Sequence, residues 1–316
     1  MPVRFESRMI DVPASSDAET QIPVTTIRGG HPGPTLALIA GNHGYEYPPI
    51  LALQKLRTLI DAAKLKGTII MVHVANMPSF LGRTVYFSPV DGKNLNRVYP
   101  GRKDGTVSER IAYAITTEVI EQSDYVLDLH CGDGNESLRP YVYQTVTGNQ
   151  KMDDAMARMA LAFGIDHIVV DRNRPTDPER SMYCSTTAIT RGKPAMTVES
   201  GFLGTTDPES TERIIIGVQG VLRELAMVDE GPAPINKAVY LDPAEVIGSP
   251  ETGILYEHVE PGQMVKKGAV LAHIANFFGE RIAEVLSPAD GVVLYIVATP
   301  PITKGQPIGC VGVPRT

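Results

Sequence analysis

Three side chains that could share one metal ion follow apolar runs of this sequence. His43 and Glu46 stand three residues apart just after the run 35–40, and His130 directly follows the run 124–129. Zinc is bound by imidazole nitrogens and carboxylate oxygens, and a catalytic zinc site keeps one position for water. Each residue could instead have a purely structural role: His43 could open a helix, for example, with Glu46 in its first turn facing the helix dipole. Together they predict a metal site, and two imidazoles with one carboxylate favour one Zn²⁺ per chain over manganese or cobalt.

Two further carboxylates are placed where they could serve such a centre. Glu199 ends the run 195–199, and Gly201 after it permits a sharp exit from a strand. A buried carboxylate near a metal can take a proton from water and deliver it to a leaving amine. Asp128 precedes His130 by two residues, so on a strand both would point to one face and Asp128 could orient the histidine.

The polar segment 91–101 contains donors suited to an anionic substrate. Arg97 offers a planar fork that matches a carboxylate, and Asn96 beside it adds a directed amide donor. Alone, this segment fits equally a surface loop whose asparagines close turns. Substrate binding is therefore predicted only in combination with the metal ligands.

The elements that must position these residues alternate between strand and helix. This alternation predicts an α/β layered fold with a mainly parallel or mixed sheet, whose functional groups gather at the carboxyl ends of strands. Short apolar runs predict strands at 35–40, 68–74, 124–129, 165–170 and 195–199, and helical spacing predicts helices over 49–63, from 108, over 152–163 and over 208–225.

The pattern changes after residue 226. A Gly/Pro-containing connector, 228–235, precedes short runs separated by turn signals. We therefore predict a catalytic domain over residues 1–235 and a small β-domain over 236–316. Segment 253–291 resembles a biotinyl/lipoyl carrier domain, but residues 272–287 include no lysine for a carrier's hairpin tip. We expect this region to cover part of the active-site entrance or to form an oligomer contact.

Composition narrows the possible partners and location. The chain has 29 Lys and Arg against 36 Asp and Glu, a net charge of −7, which argues against nucleic-acid and anionic-membrane partners. No apolar stretch has the length of a membrane span, and the first residues do not read as a secretory signal. The three cysteines, Cys131, Cys184 and Cys310, form no CxxC pair, which favours a reducing cytoplasm. Serine-hydrolase and nucleotide-binding motifs are absent from the sequence.

The motifs together resemble the succinylglutamate desuccinylase/aspartoacylase family, a branch of the zinc carboxypeptidase fold. They are G-x-H-G-x-E at 41–46, N-x-N-R at 94–97, D-L-H at 128–130 and V-E-S-G at 198–201, in the family's order. The resemblance implies a zinc carboxypeptidase-like mixed sheet with helices on both faces. It also implies a small C-terminal module.

The resemblance further implies roles for single residues. His43, Glu46 and His130 become the zinc ligands, Glu199 the general base and then acid, and Asn96 with Arg97 the pair that binds the substrate α-carboxylate. The family also polarises the scissile carbonyl with an arginine a few residues before N-R. The nearest upstream candidate is Arg83, thirteen positions before Asn96, across an apparent insertion at 84–91.

The expected activity is hydrolysis of an N-acyl amino acid by a zinc-dependent amidohydrolase that removes an acetyl or succinyl group. Aspartoacylase has a side-chain-binding arginine about ten residues before its catalytic glutamate; ten residues before Glu199 this chain has Ile189, so N-acetylaspartate is not assigned. The branch that deacetylates Nα-acetyl-2,4-diaminobutyrate fits the length and layout of the chain. The alternative is a metallocarboxypeptidase that acts on a short peptide in an open groove. A homo-oligomer is possible in either case.

Overall fold

The structure is a computed structural model that describes residues 4–315. Within this range the strands form one 13-stranded mixed sheet and one four-stranded antiparallel sheet. The strands are β1 (Arg4–Val12), β2 (Thr20–Arg28), β3 (His31–Ala40), β4 (Lys66–Val72), β5 (Tyr125–His130), β6 (Glu136–Leu138), β7 (Tyr141–Thr145), β8 (His167–Asp171), β9 (Ala195–Glu199), β10 (Val239–Gly248), β11 (Gly253–Glu257), β12 (Met264–Val265), β13 (Val270–Ala275), β14 (Arg281–Leu286), β15 (Gly291–Val297), β16 (Pro301–Ile302) and β17 (Pro307–Pro314). The helices are α1 (Tyr47–Leu59), α2 (Met77–Gly82), α3 (Val107–Ile115), α4 (Gln150–Phe163), α5 (Cys184–Ile189) and α6 (Pro208–Glu224), with 3-10 turns at Leu95–Arg97 and Pro178–Arg180 and a π-helical turn at Thr116–Ile120.

The large sheet has a parallel centre. Its strands run in the order β1-β2-β4-β3-β5-β9-β7-β8-β10-β17-β15-β12, with β6 paired to β15. β4, β3, β5 and β9 are parallel neighbours, whereas β7 runs antiparallel to β9. Parallel neighbours need crossover connections, which explains the predicted alternation of strand and helix. The mixed sheet confirms the predicted fold class.

Helices cover both faces of this sheet. Alternate residues of β3 point to opposite sides, so Leu36 and Leu38 pack with α1, α4 and α6, and Ala37 and Ile39 pack with α3 and α5. Burial on both faces explains why β3 reads as a continuous apolar run. No helix within residues 4–315 combines the length and apolarity needed to span a membrane.

Some element boundaries differ from the prediction. Helix α1 begins at Tyr47 rather than 49, because the following prolines fit the first turn of a helix, and it ends at Leu59 rather than 63. The predicted start of α6 at Pro208 is confirmed, and the Asp207 side chain accepts a hydrogen bond from the Ser210 amide at 2.8 Å. The hairpin of β1 and β2 was not predicted, because most of β1 is exposed and gives no apolar run.

The C-terminal region continues the large sheet. β10 pairs in parallel with β8, where Val239 lies opposite His167, and β17 then pairs with β10. Only β11, β13, β14 and β16 form the separate smaller sheet. Backbone hydrogen bonds therefore cross the predicted boundary between residues 235 and 236, and the division into two domains stays a prediction.

Candidate active site

Four side chains converge at the carboxyl ends of neighbouring parallel strands. His130 ends β5 and lies opposite Glu199, the last residue of β9. On the other side of β5, strand β3 ends at Ala40, and the loop that follows carries His43 and Glu46 toward α1. The sheet register thus brings together the two histidines and the two carboxylates that the sequence singled out.

Gly201 makes the chain's exit from β9 possible. Its φ is +119°, a backbone conformation that residues with a side chain rarely adopt. A Cβ atom there would also lie 2.7 Å from Cγ of Pro48, at the start of α1. The glycine therefore allows the chain to leave the sheet close to α1, as the sequence predicted.

The predicted metal ligands form a compact buried cluster. One donor atom from each of His43, Glu46 and His130 lies within 4.8 Å of the other two. Nδ1 of His43 is 2.9 Å from Oε1 of Glu46, and Nδ1 of His130 is 2.8 Å from the same oxygen. These three residues can therefore hold one metal ion.

The outward ring nitrogens fix the orientation of both imidazoles. Nε2 of His43 lies 3.1 Å from Oδ1 of Asn94, and Nε2 of His130 lies 2.8 Å from Oδ1 of Asp128. Both oxygens are acceptors, so each ring keeps a proton on Nε2 and turns Nδ1 toward Glu46, where a bound metal ion would take the place of a second proton. Two nitrogen lone pairs and a carboxylate oxygen then face one another, a donor set that fits zinc.

The charges of this cluster shift the pKa of each member. Burial acts to lower the pKa of His43 and of His130, but Glu46, together with Asp128 for His130, raises both. Burial acts in the opposite direction on Glu46, whose pKa the two histidines lower well below its usual range. The cluster thus holds positive charge beside Glu46, and a metal ion would replace that proton charge.

Asp128 joins the His130 ring to a buried network. Its Oδ1 also accepts a hydrogen bond from Nδ2 of Asn42 at 2.9 Å, and its Oδ2 accepts one from the Ser185 amide at 3.3 Å. The Tyr99 hydroxyl in turn donates to Oδ1 of Asn42 at 3.1 Å. The contact between Asp128 and His130 is the one that their two-residue spacing predicted.

Glu199 lies beside the cluster of predicted metal ligands, on the strand adjacent to that of His130. Burial raises its pKa well above the usual range, and the nearby carboxylates of Glu46 and Glu136 act in the same direction against the opposing influence of His130. A carboxylate with a raised pKa can hold a proton near neutral pH. Glu199 is therefore suited to general acid–base chemistry.

A cavity of about 540 Å³ lies over this cluster. The part of the chain between His43 and Glu199 provides one wall, and the C-terminal region contributes Asp242, Tyr295 and Cys310 to another. The C-terminal region thus lies against the site, where the sequence led us to expect it. Other polar or aromatic lining residues include Tyr86, Asn94, Asn96, Arg97, Glu136, Tyr141, Tyr143, Asp171, Arg172, Arg174 and Tyr183.

Asn96 and Arg97 both reach the cavity from the 3-10 turn at Leu95–Arg97. Oδ1 of Asn96 accepts a hydrogen bond from the Cys184 amide at 2.9 Å, which fixes its orientation. The Arg97 guanidinium donates to the Asn96 carbonyl at 2.8 Å and lies 4.8 Å from the centre of the Tyr183 ring. Within residues 4–315 Arg97 makes no ion pair with a carboxylate, so its charge is available to a ligand.

The other two arginines of the cavity are already paired. Nε of Arg174 lies 2.5 Å from Oδ2 of Asp171, and Nε of Arg172 lies 3.1 Å from Oδ2 of Asp242. Each pair brings opposite charges together at the cavity wall. Neither guanidinium is therefore as free as that of Arg97.

The structure places Arg83 outside the cavity. This arginine caps the C-terminal end of α2 with φ +50°, has an exposed side chain and interacts with the Tyr47 hydroxyl. Tyr86, in the segment 84–91 that follows, lines the cavity, whereas Arg83 does not. The role that the family resemblance implied for Arg83 in polarising the carbonyl thus finds no support in its position.

Sequence reasoning gave no role to three residues at the site. Asn94 was visible as part of N-x-N-R, but nothing in the sequence indicated that it would contact His43. Tyr86 stands in the segment interpreted as an insertion. Glu136 follows His130 by six residues, and the polar run after the strand was its only signal.

Comparison with known proteins identifies the family. The sequence model of the succinylglutamate desuccinylase/aspartoacylase catalytic domain matches residues 32–225. The chain belongs to this family. Among curated relatives of this desuccinylase/aspartoacylase member, an N-alpha-acetyl-L-2,4-diaminobutyric acid deacetylase from Halomonas elongata is 32% identical over 295 residues. The match covers 90% of this chain and 84% of that relative.

Solved structures of the desuccinylase/aspartoacylase family share the fold. A succinylglutamate desuccinylase from a Silicibacter species superposes with a TM-score of 0.86 at 26% identity, covering 98% of this chain and 95% of that one. The product-bound ectoine utilization protein of Ruegeria pomeroyi also gives 0.86 at 26% identity, covering 99% and 97%. These similarities extend through the C-terminal region as well as the catalytic part.

Proposed function

We propose that this protein is a zinc-dependent deacylase that hydrolyses the amide bond of an Nα-acyl amino acid. The observation that carries the proposal is the buried cluster of His43, Glu46 and His130, with Glu199 beside it on the adjacent strand. Arg97 opens on the same cavity with an unpaired positive charge. Ligands, proton carrier and anion-binding group thus share one site.

His43, Glu46 and His130 would hold the zinc ion. When bound, zinc supplies Lewis acidity, which lowers the pKa of a water molecule to about 7 and polarises a carbonyl group. Glu199 accepts a proton from the attacking water and transfers it to the nitrogen of the leaving amine. The water oxygen forms a bond to the acyl carbon while the C–N bond breaks, so the products are a carboxylate and a free amino acid. Asn96 and Arg97 bind the α-carboxylate and hold the substrate in place during these steps.

Cavity charges favour an acetylated diamino acid as the substrate. Arg97 can bind one carboxylate, whereas Arg172 and Arg174 are occupied by Asp242 and Asp171. N-acetylaspartate carries one further carboxylate and N-succinylglutamate two, and no unpaired arginine lines the described cavity to bind them. The Halomonas relative is named for Nα-acetyl-2,4-diaminobutyrate, and we propose this compound as the first substrate to assay.

The remaining features of the proposal concern cellular location, the roles of the two parts of the chain, and oligomeric state. Three buried, unpaired cysteines suit a reducing cytoplasm. We assign the chemistry to residues 1–235, and to residues 236–316 the closure of the cavity around a small N-acyl amino acid. Association into a homo-oligomer is an additional proposal, which light scattering of the purified protein tests.

Replacing Glu199 by Gln tests the proposed chemistry. The variant should retain about one zinc per chain, but kcat for Nα-acetyl-2,4-diaminobutyrate should fall about 10²- to 10⁴-fold, the usual contribution of a positioned acid–base group. Glu209→Gln makes the same change at an exposed site in the first turn of α6 and should leave kcat unchanged. A fully active Glu199→Gln variant would exclude the proposed role.

A substrate panel tests the reaction class. Nα-acetyl-2,4-diaminobutyrate, N-acetylaspartate, N-succinylglutamate and a dipeptide with a free C-terminus should be assayed with the zinc-loaded protein. We expect Nα-acetyl-2,4-diaminobutyrate to be cleaved most efficiently, because the two acidic compounds carry further carboxylates for which the described cavity has no unpaired arginine, and we expect it to be cleaved in preference to the dipeptide, as a deacylase requires. Preferential cleavage of the dipeptide would favour a metallocarboxypeptidase.

A further inference from the structure

One carboxylate of the cavity has neither a role in the proposed chemistry nor a cationic partner. Asp171 and Asp242 are paired with arginines, and Glu46 and Glu199 belong to the reaction centre. The remaining lining carboxylate is Glu136, which forms no ion pair within residues 4–315. The cavity therefore presents one free cation and one free carboxylate outside the reaction centre.

Backbone contacts from two parts of the chain fix the position of Glu136. It begins β6, which pairs with β15 of the C-terminal region, and its own partner there is Val297. Its amide donates to the Gly132 carbonyl at 2.9 Å, and its carbonyl accepts from the Leu203 amide at 3.0 Å. A side chain on so well anchored a backbone can define a specificity subsite.

Tyr86 orients the Glu136 carboxylate near the cluster of predicted metal ligands. The Tyr86 hydroxyl donates a hydrogen bond to Oε1 of Glu136. The Tyr86 ring packs edge-on against His43, with ring centroids 5.7 Å apart. Oε1 of Glu136 is thereby engaged, while Oε2 can accept a hydrogen bond from a ligand.

The groups around Glu136 compensate only in part for the burial of its charge. Burial raises the pKa of its carboxyl to about 7, and the neighbouring Asp133 and Glu46 act in the same direction against Tyr86 and His43. A cation bound here would stabilise the ionised carboxylate. An ammonium group supplies both that charge and hydrogen-bond donors for the free oxygen.

We propose that Glu136 binds the side-chain ammonium of the substrate, that Tyr86 positions it, and that this contact selects Nα-acylated diamino acids over neutral ones. The inference rests on the proposed deacylase function and adds the residue that recognises the side chain of the substrate. The substrate's carboxylate and ammonium then match Arg97 and Glu136, the two unpaired charges of the cavity.

The test compares two substrates that differ only in the amino group, Nα-acetyl-2,4-diaminobutyrate and Nα-acetyl-2-aminobutyrate. The zinc-loaded wild-type protein should prefer the diamino substrate in kcat/KM by about tenfold or more, equivalent to about 1.4 kcal/mol. In Glu136→Gln this preference should fall by about tenfold or more, mainly through KM, while the neutral substrate is still hydrolysed. Glu136→Asp, which keeps the charge, should retain part of the preference.

Two more variants separate recognition from structure. Tyr86→Phe removes only the hydroxyl that orients Glu136, so the preference for the diamino substrate should fall, but less than in Glu136→Gln. Glu284→Gln makes the matched change on an exposed strand and should behave as wild type. Zinc content and melting temperature of each variant report whether the fold is intact.

The outcomes distinguish the inference from the function on which it rests. If the wild-type protein hydrolyses no Nα-acetyl amino acid, the proposed function itself fails. If it hydrolyses both substrates but shows no preference for the diamino compound, the inference is wrong. The inference is equally wrong if Glu136→Gln retains that preference or loses activity on both substrates to the same extent. If Glu136→Gln does not fold, an unchanged preference in Tyr86→Phe refutes the proposal.

Discussion

Replacing Asp128 by Asn would measure how strongly a residue outside the metal cluster controls its affinity. The Asp128 side chain is fully buried, and its two oxygens receive hydrogen bonds from Asn42, His130 and the Ser185 amide. Asparagine has the same shape but replaces one oxygen with a donor, so at least one of these three groups loses its acceptor.

The expected loss follows from the place of His130 in this network. With an amide in place of the carboxylate, Nε2 of His130 loses the negative charge that favours its proton, and it competes with Asn42 and the Ser185 amide for one remaining oxygen, so the orientation of the ring is held less firmly. Disturbing such a contact typically weakens metal binding about 10- to 100-fold, or about 1.4 to 2.7 kcal/mol. Asp128→Asn should therefore bind zinc more weakly by that factor while it keeps the wild-type fold.

The assay is competition for zinc between the protein and a chromophoric chelator, with near-ultraviolet circular dichroism to verify folding. Asp124→Asn is the matched control, because Asp124 accepts a hydrogen bond from the Thr35 amide at 2.7 Å just before the same strand begins. The control should bind zinc like the wild type. If folded Asp128→Asn binds zinc within about twofold of the wild-type affinity, the argument from His130 orientation is refuted.

Other predictions concern Arg97 in its proposed role of binding the substrate α-carboxylate, Arg83, and the first turn of α3. Arg97→Ala should raise KM for α-carboxylate substrates about 10- to 100-fold, because a hydrogen bond to a charged group contributes about 1.5 to 3 kcal/mol. Arg83→Ala should stay within about twofold in steady-state kinetics, and a tenfold loss of kcat would return the carbonyl-polarising role to Arg83. For Glu109, burial acts to raise the pKa, but the Thr106 amide and Arg102 help lower it from 4.5 to about 2. Its stabilising contribution is therefore present above pH 4.5 and lost as the pH falls through about 2. Glu109→Gln should lower the unfolding free energy at pH 7 by about 1 kcal/mol, the usual value of a helix cap. Chemical denaturation of the wild type and the variant at pH 7 and below pH 2 measures this difference. A difference that persisted below pH 2 would contradict the prediction.

The sequence predicted which side chains would come together at the candidate site, because these residues stand at the ends of regular elements. His130 and Glu199 each end an apolar run, and the carboxyl ends of parallel strands share one sheet edge. Their adjacency then follows from the pairing of β5 with β9. The ligand set and the metal remain predictions until metal binding is measured.

The proposed substrate subsite was harder to predict, because it is built from irregular segments. Tyr86 and Glu136 lie fifty residues apart, and their hydrogen bond depends on a loop path that no periodicity records. The position of Arg83 was inferred by counting backward along the chain, and counting does not report the turn that leaves this side chain exposed. Alternation of strands and helices likewise contains no information on strand order, so it did not reveal that β10 would continue the main sheet.

Continuity of the sheet into the C-terminal region also affects how this protein can change over evolutionary time. The residues proposed to carry out hydrolysis occur between His43 and Glu199, whereas Asp242, Tyr295 and Cys310 of the cavity wall come from later in the chain. Substitutions in the later segment alter the size and polarity of the cavity without touching the hydrolytic residues. Descendants of such a protein can therefore acquire new substrates through their last eighty residues or so while their hydrolytic centre is inherited unchanged.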